Sequence, residues 1–316
     1  MDKNTRIFVA GHRGMVGSAV VRELQRRGYS NVVTRGRAEL DLTDQAAVAG
    51  FFRSEAIEVT VLAAAKVGGI LANATYPADF LYLNMMIEAN VIEAAFRAGV
   101  KRLVFLGSSC IYPRDCPQPI KEEYLLTGPL EATNEPYAIA KIAGVKLCEA
   151  LNRQYGAQYL SLMPTNLYGQ NDNYDLHNSH VLPALLRKAH EAKIQGAGSM
   201  TVWGTGRVRR EFLHVDDMAS AAVFILERGI GAGLYNVGCG ADVSIEELAL
   251  AVMRVVGFNG DLEFDTGKPD GTPRKLLDVS KLAGLGWRAT IDLEAGLART
   301  YEDFKSRYGL QVAHAA

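Results

Sequence analysis

The sequence predicts an α/β protein: a doubly wound parallel sheet with a second, smaller α/β domain. Three observations carry this reading. Apolar runs of strand length alternate with helical periodicity through the first half of the chain. Those runs are apolar throughout, as strands covered on both faces of a parallel sheet must be. Gly11, Gly14 and Gly17 sit between the first strand candidate and the first helix candidate, where a doubly wound sheet turns toward a ligand.

The elements follow in order. Arg6–Ala10 reads as a strand, Gly14–Arg27 as a helix, Asn31–Thr34 as a strand and Thr43–Glu55 as a helix. Val59–Ala64 is a third strand, closed by the small residues Ala63, Ala64 and Ala65, which let a ligand lie against the backbone. Pro77–Ala98 is a helix with Pro at its start, where a missing N–H costs nothing. Arg102–Gly107, Pro136–Tyr155 and Gln158–Met163 continue as strand, helix and strand. This is the order of a Rossmann half. After Pro164 the chain turns polar (LYGQNDNYDLHNSH), then shorter elements follow. Phe212–Glu227 and Gly233–Gly238 read as a helix and a strand returning to the first sheet. The expected division is residues 1–165 for a dinucleotide-binding domain, with a returning segment near 207–240, and the rest of 166–316 for a substrate domain.

The 316 residues are 48% hydrophobic and 22% charged, with 34 Lys and Arg against 35 Asp and Glu. Disorder is excluded, and so is the basic excess of a general nucleic-acid binder. The longest early apolar run stops at Lys66, far short of the ~20 residues of a membrane span. Cys110, Cys116, Cys148 and Cys239 are too scattered for a disulfide scaffold or a metal site. A cytoplasmic, metal-free enzyme is expected.

The glycine triplet is the one place where three glycines are spaced three and three between strand and helix. Such a turn lets backbone approach a pyrophosphate, and the helix N-terminus favours its charge. The second strand then runs into Thr34-Arg35-Gly36-Arg37, where an NAD site would place an acidic residue. Guanidinium groups suit a 2′-phosphate. Arg13 and Arg37 therefore point to NADP, with Glu39 the residual argument for NAD and Asp41 expected near the adenine. Arg35 and Arg37 could also be solvated loop charges.

Tyr137 and Lys141 share one helix face. An ammonium near a phenol stabilises the phenolate, so the tyrosine pKa is expected to be lowered toward the working range. Tyr301 and Lys305 repeat the spacing, so context must separate the two pairs. Tyr137 follows Ser108, which ends a strand of the Rossmann half, whereas Tyr301 lies on a polar C-terminal helix.

The motifs GHRGMVGS (Gly11–Ser18), AAKVGGI (Ala64–Ile70), LGSSCIYP (Leu106–Pro113), NEPYAIAK (Asn134–Lys141), PTNLYGQNDNY (Pro164–Tyr174) and REFLHVDD (Arg210–Asp217) resemble those of the extended short-chain dehydrogenase/reductase family. The resemblance spans nearly the whole chain. It is strongest to members that convert GDP-4-keto-6-deoxy-D-mannose by epimerising carbons 3 and 5 and reducing the 4-keto group with NADPH. It implies a cofactor site of Gly11, His12, Arg13, Gly14, Met15, Val16, Gly17, Arg37, Asp41, Leu42, Leu106, Gly107, Ser108, Ser109, Lys141, Pro164, Thr165, Asn166, Leu167 and His180. Tyr137 would donate the proton in the reduction, supported by Lys141 and Ser108. Cys110 and His180, two groups able to titrate near neutrality, would transfer the epimerisation protons. Lys188, Trp203, Arg210 and Asp270 would hold the GDP-sugar.

Two competing readings remain at this point. A nucleotide-sugar 4-epimerase that retains NAD shares Ser, Tyr and Lys but needs neither Cys110 nor His180. A non-catalytic NADP-binding regulator needs no proton donor. The helices beginning at Pro77 and Pro136 carry apolar residues on more than one face (Phe80, Leu83, Met85, Met86, Val91 and Phe96 on the first). The excess predicts a homodimer built on these two helices.

Overall fold

The computed structural model describes residues 1–176, 178–268 and 270–312. The first half contains β1 (Ile7–Ala10), α1 (Met15–Arg26), β2 (Val32–Val33), α2 (Gln45–Glu55), β3 (Val59–Leu62), α3 (Ile70–Thr75), α4 (Pro77–Arg97), β4 (Arg102–Leu106), α5 (Glu135–Tyr155) and β5 (Gln158–Pro164). Then come β6 (Asn166–Tyr168), α6 (Val181–Gln195), β7 (Ser199–Trp203), β8 (Arg209–His214), α7 (Val215–Arg228) and β9 (Gly233–Val237). The chain ends with β10 (Asp242–Ser244), α8 (Ile245–Val256), β11 (Asp261–Asp265), β12 (Arg274–Lys275), α9 (Ser280–Gly284) and α10 (Leu293–Val312).

The main sheet has the order β2-β1-β3-β4-β5-β9, and every pairing in it is parallel. Its strands are buried on both sides, which is why they read as unbroken apolar runs. One face carries α2, α4 and α5 on a core that includes Phe8, Phe52, Ile92, Phe105 and Val145. The other carries α1 and α7 on Val9, Val20, Val104, Met218 and Ile225. A separate apolar cluster built by α6, α8 and α10, around Leu186, Leu248, Leu297 and Phe304, forms the second lobe. Beside it, β6, β10 and β12 all pair with β8, while β7 pairs with β11.

The elements of the first half stand where the sequence places them, to within a few residues. The helix expected over Phe212–Glu227 begins instead at Val215. Phe212–His214 complete β8, and the His214 ring accepts a hydrogen bond from Asp216 N at 3.2 Å to cap the helix. The segment that rejoins the first sheet is thus α7 and β9, whereas Arg209–His214 belongs to the small sheet. Among the described residues, no helix is long and apolar enough to cross a membrane.

Candidate active site

Both lobes meet at the carboxyl ends of the main strands, where a doubly wound sheet binds its ligands. The connection after β1 turns at Gly11, whose φ of +85° favours glycine. A Cβ there would lie 2.7 Å from Ala64 N at the end of β3. At Gly17 a Cβ would lie 2.6 Å from the Gly11 carbonyl carbon, so only glycine lets α1 start this close to the turn. Helix α1 has no side-chain cap and no acidic residue in its first turn. Its leading N–H groups are left for an anion, with His12, Arg13, Met15 and Val16 around them. These features fit a pyrophosphate-bearing dinucleotide.

Past β2 the two arginines separate. Arg35 is turned away, bonded to the Thr34 carbonyl at 2.9 Å and paired with Glu55. Arg37 is 81% exposed and forms only a long ion pair, 3.7 Å, with Asp41. Asp41 is held by Thr43 N and Oγ1 at 2.9 and 2.7 Å, which keeps its carboxyl below the usual range. Glu39 folds back onto Gly36 N at 2.6 Å, so its carboxylate is already engaged. Leu42 packs against the adjoining core.

The end of β4 supplies Leu106, Gly107, Ser108 and Ser109. The Ser108 hydroxyl accepts from Cys110 N at 3.3 Å and starts a short 3₁₀ turn over Ser109–Ile111. That turn sets Cys110 beside Tyr137 on α5, close enough to disfavour ionisation of the phenol. The lowering of the Tyr137 phenol expected from the Lys141 ammonium does not occur: burial holds it well above its ordinary value, and Cys110 and Glu88 add to this. Burial also pushes the Cys110 thiol up, while Lys275, the Ser108 hydroxyl and Lys141 pull it back. Lys141 lies one turn along from Tyr137, its ammonium 5.8 Å from that ring and bonded to the Leu106 carbonyl at 3.0 Å.

His180 ends the polar connection and stands at the N-terminus of α6. It is open to solvent, yet the surrounding protein desolvates the ring and holds its pKa below the ordinary value. The segment before it is docked on the glycines after β3: Gly69 N donates to the Asn178 carbonyl at 2.9 Å. Pro164, Thr165, Asn166 and Leu167 form the crossing from β5 to β6. There the Thr165 hydroxyl and the Asn166 amide both donate to the Glu211 carbonyl, at 3.0 and 2.9 Å. Those two side chains therefore tie the lobes together, and Leu167 packs on the core of the first.

The second lobe presents cations. Trp203 is 56% exposed, with the Lys188 and Lys268 ammonium groups each 5.3 Å from its ring. Arg210 on β8 is desolvated by burial. Asp270 is less open than expected: its oxygens accept from Thr205 N and Oγ1 at 2.7 and 2.8 Å, so it fixes the turn after Trp203. The Tyr301–Lys305 pair lies elsewhere. The Tyr301 hydroxyl is bonded to His190 Nδ1 at 2.9 Å within the second core, and Lys305 pairs with Glu302.

Sequence reasoning missed three charged groups. Lys275, on β12, faces Cys110. Lys268 flanks Trp203. Glu88 is buried against Lys141. Only Glu88 left a signal, a carboxylate directly after the apolar run Met85-Met86-Ile87.

Residues 7–238 match the model of the NAD dependent epimerase/dehydratase family. The chain is 60% identical over 301 residues to "GDP-L-fucose synthase 1" of Arabidopsis thaliana, covering 95% of this chain and 93% of that one. It is 58% identical over 308 residues to "GDP-L-fucose synthase" of Escherichia coli strain K12, covering 95% and 96%. Among solved structures it resembles a GDP-L-fucose synthetase from Naegleria fowleri bound to NADP, with a TM-score of 0.89, 27% identity, and coverage of 98% and 95%.

Proposed function

Because the chain belongs to the NAD dependent epimerase/dehydratase family, we propose that it converts GDP-4-keto-6-deoxy-D-mannose to GDP-L-fucose. The reaction epimerises carbons 3 and 5 and then reduces the 4-keto group at the expense of NADPH. The observation that carries this reading is the meeting of Tyr137, Lys141 and Ser108 with a thiol, Cys110, at one strand end. The names of the 58–60% identical relatives support it.

The uncapped start of α1, with Arg13 and Arg37, would hold NADPH, which when bound would supply the hydride for carbon 4. The residues do the rest. The 4-keto group acidifies the protons on carbons 3 and 5. One group must remove each proton, and another must return one to the opposite face. At neutral pH, burial keeps Cys110 a thiol, and desolvation by the surrounding protein keeps the solvent-open His180 a neutral imidazole. One can give a proton and the other accept one. Lys275 eases formation of the thiolate. During reduction an alkoxide forms at carbon 4. Tyr137, kept protonated by its surroundings, donates to it, and the Ser108 hydroxyl and Lys141 ammonium stabilise the charge. Trp203 offers a face for the guanine, and Lys188 and Arg210 offer cations for the diphosphate. This division gives the first lobe to the cofactor and the second to the nucleotide sugar. We read the exposed apolar residues of α4 and α5, including Tyr82 at 62% and Tyr155 at 55%, as the contact of a homodimer.

The test follows NADPH absorbance with GDP-4-keto-6-deoxy-D-mannose as substrate and identifies the product sugar. Stoichiometric NADPH loss with GDP-L-fucose formed is expected. Interconversion of a nucleotide sugar with no net NADPH loss would establish the 4-epimerase reading instead.

A further inference from the structure

Glu88 is a buried carboxylate against the proposed catalytic lysine that the mechanism above leaves unused. It sits on the core-facing side of α4, 2% exposed, and its Oε1 lies 3.0 Å from Lys141 Nζ, itself 2% exposed. Neither Glu88 oxygen has an aligned hydrogen-bond donor among the described residues; burial pushes the carboxyl above its ordinary range, and the Lys141 ammonium is the group that opposes this, so each member of the pair depends on the other for its charge. The space for it is made at Gly144, one turn beyond Lys141 on α5. A Cβ there would stand 2.8 Å from Glu88 Oε2 and 2.5 Å from the Phe105 ring. Lys141 has one other close acceptor, the Leu106 carbonyl, and its ammonium lies 4.8 Å from the Phe105 ring. A carboxylate in an apolar helix face destabilises a fold unless it compensates something. Here the compensated group is the lysine one turn from the proposed proton donor.

We propose that Glu88 is a positioning residue for the reduction: from α4, it is the counter-ion that keeps the Lys141 ammonium charged and fixed beside Tyr137. The inference rests on the function proposed above. The ionisable groups facing this pocket are Glu88 from α4, Cys110 from the turn after β4, and Tyr137 and Cys148 on the same helix as Lys141. Lys275 acts on Cys110 from β12. Glu88 is the carboxylate among them. A buried ammonium without its counter-ion loses its proton at lower pH. The alkaline limb of the reduction must then move to lower pH.

The experiment compares wild type, Glu88→Gln and Glu88→Asp as full chains. One readout is the pH profile of kcat for NADPH oxidation. The other is the titration of Lys141, followed through carbon-13 at Cε and identified by its absence from Lys141→Met. Glu88→Gln should move both the Lys141 titration and the alkaline limb down by at least about one pH unit. Glu88→Asp keeps the charge and should hold both near wild type. An unmoved Lys141 titration in Glu88→Gln overturns the proposal, and so does an equal shift in Glu88→Asp. If Glu88→Gln fails to fold, adding Lys141→Met should restore folding by removing the uncompensated charge, and no restoration overturns the proposal. Should the Lys141 titration shift as expected while wild type consumes no NADPH with the keto sugar, the ion pair stands and the proposed reaction falls.

Discussion

Two chemistries act on one keto group in the proposed reaction, and single substitutions should separate them. Tyr137→Phe removes the phenol and leaves Cys110 and His180 untouched. Burial with Cys110 and Glu88 nearby keeps that phenol protonated, so at neutral pH the whole enzyme population carries the donor. Losing a positioned general acid costs about 10²–10⁴ in rate. At ~1.36 kcal/mol per tenfold, that is roughly 3–5 kcal/mol of barrier. Ser108 and Lys141 remain to stabilise the alkoxide, which places the loss nearer the lower end. Cys110→Ser does the reverse. It keeps size and the 3₁₀ turn but replaces a group with an ordinary pKa of ~8.5 by a hydroxyl that does not ionise in this range. Incubation in deuterated water, with mass spectrometry of the recovered sugar nucleotide, reads the two separately. Tyr137→Phe should incorporate deuterium at carbons 3 and 5 while consuming almost no NADPH. Cys110→Ser should lose the incorporation, and His180→Gln should resemble it. Wild-type incorporation at both carbons in Cys110→Ser would reduce Cys110 to a packed side chain and leave the epimerisation without its thiol.

Arg37→Asp should narrow the preference for NADPH over NADH. A hydrogen bond to a charged group contributes roughly 1.5–3 kcal/mol, and the 81% exposure of Arg37 puts the effect at the low end, about tenfold in the ratio of kcat/KM values. Gly17→Ala should weaken NADP binding in a fluorescence titration and lower stability by ~1–3 kcal/mol, because a Cβ there overlaps the Gly11 carbonyl; unaltered binding would mean the turn yields freely. Tyr301→Phe should cost about 1 kcal/mol of stability in denaturant melts through its lost bond to His190, with kcat unchanged. Asp172 is buried and its carboxyl is pushed up to about 7 by desolvation. The folded state therefore holds this proton more tightly than the unfolded one, and stability falls as pH rises from the ordinary carboxyl range to about 7. Asp172→Asn should raise Tm relative to wild type more at pH 8 than at pH 4, and an equal offset at both would refute this.

The first half of the fold is legible because parallel strands buried on both faces leave no choice of pattern, and because Gly11 and Gly17 are forced by close backbone approach. The returning segment is harder. β8 and α7 run on without a break at His214, so apolar spacing alone assigns Phe212 and Leu213 to the helix they precede. Within the site, Tyr137 and Lys141 are legible from helical spacing, and the strand end at Ser108 separates them from Tyr301 and Lys305. Arg35 and Arg37 are not separable by sequence, since only the fold brings Glu55 to Arg35. Asp270 reads as a ligand contact, but tertiary structure commits both its oxygens to Thr205. Lys275 is illegible for the same reason. It reaches Cys110 through a strand pairing between β12 and β8 that no local pattern encodes.

The arrangement also explains how one pocket can serve opposite demands. Epimerisation needs groups that exchange protons with carbon, whereas reduction needs a donor that has not yet spent its proton. A phenol whose pKa were lowered toward neutrality would serve the first task and compromise the second. Burial with Cys110 and Glu88 raises Tyr137, while Lys275 and the Ser108 hydroxyl act in the opposite sense on Cys110. The two acids are thus pulled apart by neighbours from different elements: α4 on the side of the tyrosine, and β12 on the side of the cysteine. Order in the reaction then needs no moving part. Burial raises both acids, but of the two it is the thiol that has cations and a hydroxyl opposing that rise, so proton exchange at carbons 3 and 5 can proceed while the phenol still holds the proton that the alkoxide at carbon 4 will take.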